Sequence, residues 1–190
     1  MPNNAVIAII SSVSPLQPET EAAFSDIMDF GNYPKSTHLL EIGKVARNMY
    51  FIRKGLARVY YVRNDLDVTD YFAVDNQFIG GVPSLFTGRP SEKAIELLED
   101  SEIYSFKYAE FDALCAQHPD LERAARKLAI YAMLEEQERI ESIRFLSVKE
   151  RYDQLERKYP GITNRAPLKY IASYLSTSNV SISRIRAGKQ

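Results

Sequence analysis

The chain is poor in the residues from which reactive centres are usually built. Its 190 residues include one cysteine, Cys115, and two histidines, His38 and His118. A lone cysteine closes no intrachain disulfide and holds no iron–sulfur cluster, which points to a cytoplasmic setting. Cys115 itself lies beside apolar Leu114 and Ala116, where a buried, inert thiol is expected and a redox sensor is the alternative. Two isolated histidines do not supply the several that a cupin-type metal centre needs, so surface or capping roles are expected for both and no metal site. No Ser/His/Asp set, glycine-rich phosphate loop or convergent carboxylate pair is visible. Neither an enzyme nor a cofactor protein is expected. Long apolar runs are missing too. The stretch Ala5-Val6-Ile7-Ala8-Ile9-Ile10 is too short for a membrane span and, with no basic residue ahead of it, makes a poor signal peptide. A strand or helix packed on the body is expected there.

Acidic residues also run out: after Pro160 there is no Asp or Glu at all. From Ser147 to Gln190 the chain has nine Lys or Arg against three acids, while the rest has 15 against 22. A total of −1 therefore conceals a polarised molecule with a cationic C-terminal part. An acid-free basic segment suits a surface that faces phosphates, with an acidic protein partner as the alternative.

Within that segment the pattern is helical twice over. Pro167 suits a first helical position, and Ile171, Ala172 and Leu175 then share one face. After the polar turn Ser176-Thr177-Ser178, Ser178 can cap a second helix in which Ile182 and Ile185 point back at the first. This leaves Asn179, Val180, Ser183, Arg184 and Arg186 on outward or flanking faces. The pair reads as a helix-turn-helix able to enter a DNA major groove, or as a helical hairpin capping another domain.

The body differs in kind. Between about Leu39 and Phe106, short segments rich in β-branched and aromatic residues alternate with turn signals, Gly55 and Asn64-Asp65 among them. Such spacing indicates an antiparallel roll, usually hollow enough for a small ligand. A charged helix is expected from Pro119 to about Phe145, with Leu121, Ala125, Leu128 and Ala132 as an apolar stripe widened by Ala124 and Tyr131. The stripe fits a two-helix seam, hence a homodimer, with packing on the roll as the alternative. Ser147-Val148-Lys149-Glu150 then fits a capping box that starts a fresh helix, ended by Tyr159-Pro160-Gly161. The expected fold is therefore α+β: an antiparallel β jelly roll over 1–118, a long dimerisation helix over 119–146 and a C-terminal helix-turn-helix domain over 147–190.

This order of parts, with Tyr50-Phe51-Ile52-Arg53-Lys54-Gly55-Leu56-Ala57-Arg58 and the run Leu168 to Arg186, resembles the cyclic-nucleotide-binding transcription regulators of the CRP/FNR type. Arg151-Tyr152, Tyr159-Pro160 and Leu168 to Leu175 resemble a short branch common in Bacteroidetes-type bacteria. The resemblance implies a cytoplasmic regulator with double-stranded DNA, a second copy of itself and RNA polymerase as partners, and a small-molecule effector, without a membrane. It places base contacts on Asn179, Val180 and Arg184 and phosphate contacts near Ser178 and Ser181. Chemically, Arg184 can fork onto guanine, Asn179 can pair with adenine or a phosphate, and Val180 can touch a thymine methyl. Lys169, Arg186 and Lys189 suit the DNA backbone.

Two departures from the family pattern stand out. Ser176 replaces the glycine usual in the turn and must accept a left-handed conformation or reshape it. The sequence also stops soon after the second helix with no β-wing, which implies a smaller interface that leans on dimerisation and on salt. The family's ligand pocket corresponds to Ile79, Gly80, Gly81, Arg89, Ser91 and Glu92. Gly81 stands where a ribose-binding acid is expected, and Ser91-Glu92 where a phosphate-binding Arg and a Ser or Thr are expected. An acid there repels phosphate, so cAMP and cGMP are expected to bind weakly or not at all. A small-molecule-binding or protein-interaction module that has lost DNA binding is the competing expectation.

Overall fold

The computed structural model describes residues 4–188. Two helices come first, α1 (Asn4–Val13) and α2 (Pro18–Asp26), so the apolar start is helical. Eight strands follow, interrupted by one short helix: β1 (Asp29–Tyr33), β2 (His38–Leu40), β3 (Asn48–Lys54), β4 (Ala57–Arg63), β5 (Leu66–Ala73), β6 (Gln77–Gly80), α3 (Val82–Thr87), β7 (Ala94–Leu97) and β8 (Ser101–Lys107). The remainder is helical: α4 (Tyr108–Gln117), α5 (Pro119–Phe145), α6 (Val148–Lys158), α7 (Ile162–Arg165), α8 (Leu168–Tyr174) and α9 (Asn179–Arg186).

The strands form two antiparallel four-stranded sheets, ordered β1-β8-β3-β6 and β2-β7-β4-β5. The β4–β5 hairpin turns on Asn64 and Asp65, both at positive φ (51° and 61°), as a two-residue turn with the strands' own twist requires. Gly55 (φ 135°) links β3 to β4, and a Cβ there would run into the Ser101 side chain. Strand alternation sorts the core. Ile52, Ala57, Val59 and Ile103 point between the sheets with Leu40, Ile79, Ile95 and Leu97. Their neighbours Phe51, Tyr104 and Phe106 face outward from the first sheet and are buried under α1, α2 and the first turns of α5 by Val6, Ile10, Phe24, Leu121 and Ala124.

This packing corrects the N-terminal part of the expected dimer seam. Leu121 and Ala124 are fully covered by the chain itself, and Leu128 leans on the same cluster, because α1 occupies that face of α5. Further along α5, Tyr131 and Ala132 of the expected seam are exposed, as are Ile130, Met133, Leu134 and Ile140 beside them, followed by Phe145, 79% exposed, at its end. Cys115 is half-buried against the same cluster, with burial pushing its thiol up to about 11, away from a reactive thiolate.

The second sheet is covered by the C-terminal helices. Leu56, Phe72 and Leu98 of the roll share one core with Leu155, Tyr159, Ile162, Ile171, Tyr174, Leu175 and Ile182. At its centre is Arg58, an outward residue of β4 that is only 2% exposed. Its guanidinium accepts a ring on each side, Tyr60 at 4.0 Å and Tyr170 of α8 at 3.4 Å. It donates from both terminal nitrogens to Asp67 (2.5 and 2.8 Å) and from Nε to Glu96 (2.8 Å). Alongside, the Thr69 N–H donates to Ser173 Oγ (2.8 Å) and the Tyr159 hydroxyl to the Phe72 carbonyl (3.4 Å). Arg165 closes the rim of the seam on Asp75 (2.9 Å), Glu99 (2.5 Å) and the Gly55 carbonyl (2.8 Å).

Candidate nucleic-acid interface

Each C-terminal helix starts for a readable reason. Ser147 accepts from the Glu150 N–H while the Glu150 carboxylate accepts from the Ser147 N–H, the full capping box that opens α6. α8 begins one residue later than expected. Pro167 (φ −55°, ψ 139°) stays extended as the residue before the helix, and its carbonyl accepts from Tyr170 and Ile171. Ser178 caps α9 by accepting from the Ser181 N–H at 3.1 Å, and the two hydroxyls lie 3.0 Å apart.

Between α8 and α9, Ser176 takes the left-handed conformation (φ 52°), with its N–H donating to the Ser173 carbonyl at 3.0 Å. The turn is kept and the serine carries the cost. Ser176→Gly is therefore expected to stabilise the chain by up to about 1 kcal/mol, since left-handed backbone costs a side-chain-bearing residue roughly 1–2 kcal/mol and glycine loses part of that gain in unfolded-chain entropy. Urea unfolding of the two proteins measures it; a less stable glycine variant would contradict the strain.

On α9, Ile182 is fully buried and Ile185 half-buried, which fixes the rotation of the helix. Asn179, Val180, Ser183, Arg184 and Arg186 are then exposed, Val180 by 59%, and Ser181 is partly so. Among the described residues Arg184 has no hydrogen-bond or ion-pair partner. Arg186 donates to the side-chain Oδ1 of Asn164, at 3.4 Å. Lys169 is exposed on α8, 4.7 Å from the Tyr170 ring. Ser178 is exposed next to them, and Lys189 lies outside the described residues. The geometry thus gathers Ser178, Asn179, Val180, Ser181, Arg184 and Arg186 on one short helix and its cap, with Lys169 on the helix before it.

The residues expected to line a pocket in the roll are not gathered in this way. Ile79 belongs to the inter-sheet core. Gly80 is backed by Met49, and its carbonyl accepts from the Tyr71 hydroxyl at 3.1 Å. A Cβ on Gly81 would lie 2.5 Å from Leu40 Cδ2 and 3.0 Å from Ala46 Cβ, so a larger side chain there requires Leu40 to move. Ser91 is buried with its hydroxyl spent on the Lys93 carbonyl (2.7 Å), and Arg89 and Glu92 are exposed outside it. Ser84 Oγ, in α3 beside these residues, accepts from the Ala46 N–H (2.9 Å) and donates to the Arg89 carbonyl (2.5 Å). The roll near α3 is packed with Leu40, Met49 and Leu85 where a hollow was expected.

Sequence reasoning missed the Arg58 seam. Its only signal was an arginine at the end of the Tyr50 to Arg58 stretch, and nothing local connects it with Tyr170. Among the described residues no group of three or more His, Cys, Asp or Glu is placed to hold a metal, and no helix is long and apolar enough to cross a membrane.

Residues 30–118 match the family model of the cyclic nucleotide-binding domain. A comparison with curated proteins finds no match. Solved structures are similar over nearly the whole chain. The c-di-GMP-responsive global regulator CLP of Xanthomonas campestris is 15% identical with a TM-score of 0.66, over 90% of this chain and 91% of that one. FixK2 of Bradyrhizobium japonicum is 16% identical with a TM-score of 0.70, over 85% and 84%. A protein of Eubacterium rectale assigned to the CRP/FNR family of transcriptional regulators is 15% identical with a TM-score of 0.69, over 91% and 83%. The chain thus carries a domain of the cyclic nucleotide-binding family at residues 30–118 and shares the fold of CRP/FNR-type transcriptional regulators along most of its length.

Proposed function

We propose that the chain is a cytoplasmic, homodimeric, sequence-specific DNA-binding regulator whose roll does not take up cAMP. The observation that carries this reading is α9: a Ser178-capped helix held by Ile182, with Asn179, Val180 and an unpaired Arg184 turned outward, in a segment without a single acid after Pro160. Arg184 reads a base edge, Asn179 and Val180 add a hydrogen bond and an apolar contact, and Lys169, Ser178 and Arg186 hold the phosphates. Proteins of the same fold are described as regulators of gene expression, and RNA polymerase is the partner such a regulator acts on. Enzymatic chemistry has no place in this reading.

Selection of genomic fragments followed by fluorescence anisotropy tests the proposal. A palindromic consensus is expected, with affinity falling steeply as salt rises. Arg184→Ala is expected to remove about 1–3 kcal/mol of discrimination at one base pair, whereas Lys169→Ala weakens all sequences alike and lowers the salt slope by about one. Binding without sequence preference, or none, would favour an interaction module that has lost DNA binding.

The packed roll supports the second half of the proposal. Gly81 supplies no ribose-binding acid and is backed by Leu40 and Ala46, and Ser84 and Ser91 are committed to backbone groups. Calorimetry with cAMP is expected to give no saturable heat up to millimolar nucleotide; a micromolar Kd would overturn it.

A further inference from the structure

The helix before the candidate reading helix has two occupied faces. Toward α9, Ile171, Ala172 and Leu175 of α8 share one core with Ile182. Toward the roll, Tyr170, Ser173 and Tyr174, one helical face by their spacing, meet β4 and β5. The Tyr170 ring lies 3.4 Å from the Arg58 guanidinium, Ser173 Oγ accepts from the Thr69 N–H at 2.8 Å, and the Tyr174 ring lies 5.4 Å from that of Phe72. Whatever fixes α8 on the sheet therefore also aims α9.

Apolar packing alone would leave that aim loose, because the hydrophobic contribution has no direction. Arg58 supplies direction. Its guanidinium is planar and is already pinned by the roll: Asp67 accepts from both terminal nitrogens, Glu96 accepts from Nε, and the Tyr60 ring stands 4.0 Å from it. A ring of α8 can stack on what is left in one place only. Tyr170 occupies it. The hydrogen bond from Thr69 to Ser173 is a second directional contact, and Arg165 on Asp75, Glu99 and the Gly55 carbonyl is a third. Three such contacts determine how one part of the molecule sits on another.

We infer that Tyr170 and Ser173, seated on Arg58 and Thr69, are positioning residues that set the spacing between the two half-sites of the operator without touching DNA. This rests on the proposed function, a dimer that reads two half-sites. A duplex turns once in about 10–10.5 base pairs over about 34–36 Å, so one added base pair moves a half-site by about 3.4 Å and rotates it by about 35°. A head locked to the roll cannot follow such a shift, and the cost falls on twisting or bending the DNA. A head that slides on the sheet can follow it. Spacing selectivity is therefore the property that belongs to this seam, whereas base preference belongs to α9.

Anisotropy with the selected operator, and with duplexes whose spacer is one base pair longer or shorter, tests the assignment on the full chain. The parent is expected to lose at least about tenfold in affinity for either altered spacer, and the double variant Tyr170→Ala with Ser173→Ala less than about threefold. Tyr170→Phe keeps the ring and should stay as strict as the parent. In all three the preference for the base pair read by Arg184 should persist and thermal unfolding should remain cooperative. A general weakening would lower affinity at every spacer alike, leave the selectivity unchanged and overturn the assignment, as would a parent that binds all three spacers equally. Backbone amide relaxation by NMR without DNA gives a second readout: one rotational correlation time for the roll and α6–α9 in the parent, and a shorter one for α6–α9 in the double variant. Two correlation times in the parent would overturn the lock while the DNA reading stands; a parent without sequence-specific binding overturns the DNA reading, and the spacing role with it.

Discussion

Arg58→Ala is expected to cost about 3 kcal/mol of stability, the low end of the range for stripping one partner from a buried ion pair. The low end applies because one carboxylate, Asp67, is 40% exposed and screened by water, whereas Glu96 is 14% exposed and would be left buried without its cation. The loss of the Tyr60 and Tyr170 ring contacts adds to the effect. For a chain of this length the change corresponds to a fall of about 6–12 °C in Tm. Differential scanning calorimetry measures it. A variant within 2 °C of the parent would show that the arginine is only a passenger in the seam. Arg58→Met combined with Glu96→Leu should regain most of the loss, since matched apolar replacements of a buried pair are close to neutral. Arg58→Lys should not, because an ammonium cannot reproduce the fork onto Asp67 or lie flat between two rings.

Leu134→Glu is expected to have the largest effect on the proposed function. Leu134 stands on the stripe of α5 that the chain leaves uncovered, with Ile130, Met133 and Ile140. If that stripe is the seam between two copies, a carboxylate in it should give monomers at micromolar concentration by analytical ultracentrifugation. DNA affinity should fall at the same time by at least 100-fold, because two short helices acting on two half-sites gain about 10²–10⁴ from being linked. The fold should survive, since Leu134 belongs to none of the buried clusters. A parent protein that is itself monomeric, or a variant that remains dimeric, would remove the basis for the proposal of paired half-sites.

How much of this was legible in the sequence depended on the range of the forces involved. α5 was readable at both ends because its start and finish are local: Pro119 at the first position with Asp120 and Glu122 behind it, and Leu146 ahead of the Ser147 capping box. The Asn64-Asp65 turn and the Ser178 cap were local in the same sense. β1 was not readable. Asp29-Phe30-Gly31-Asn32-Tyr33 contains three poor strand formers, and it is extended because it pairs with β8, about seventy residues away. α3 was hidden by Pro83 and Gly88, which look like loop residues but sit in the first turn and just past the end of a short helix. The inward face of α5 was misjudged because the sequence gives stripes, not what covers them; α1 does so from over a hundred positions away. At the candidate interface, the outward face of α9 followed from Ile182 and Ile185 alone. The packing of Leu40 and Met49 behind Gly81 and Gly80 could not follow from any pattern, being a matter of which rotamers fill a shared space.

Arg165 gives the two halves of the molecule an unequal sensitivity. The roll and the C-terminal helices share an apolar core, and at its rim this residue adds a charged fastening through two carboxylates and a carbonyl of the roll. Partial burial works against the charge on Asp75, yet the Gly55 N–H and Arg165 outweigh it and hold its carboxyl below the usual range. Its contribution is therefore whole at neutral pH and disappears as acidity rises through that depressed value. Only acid below the ordinary carboxylate range should therefore loosen the helices from their platform by this route.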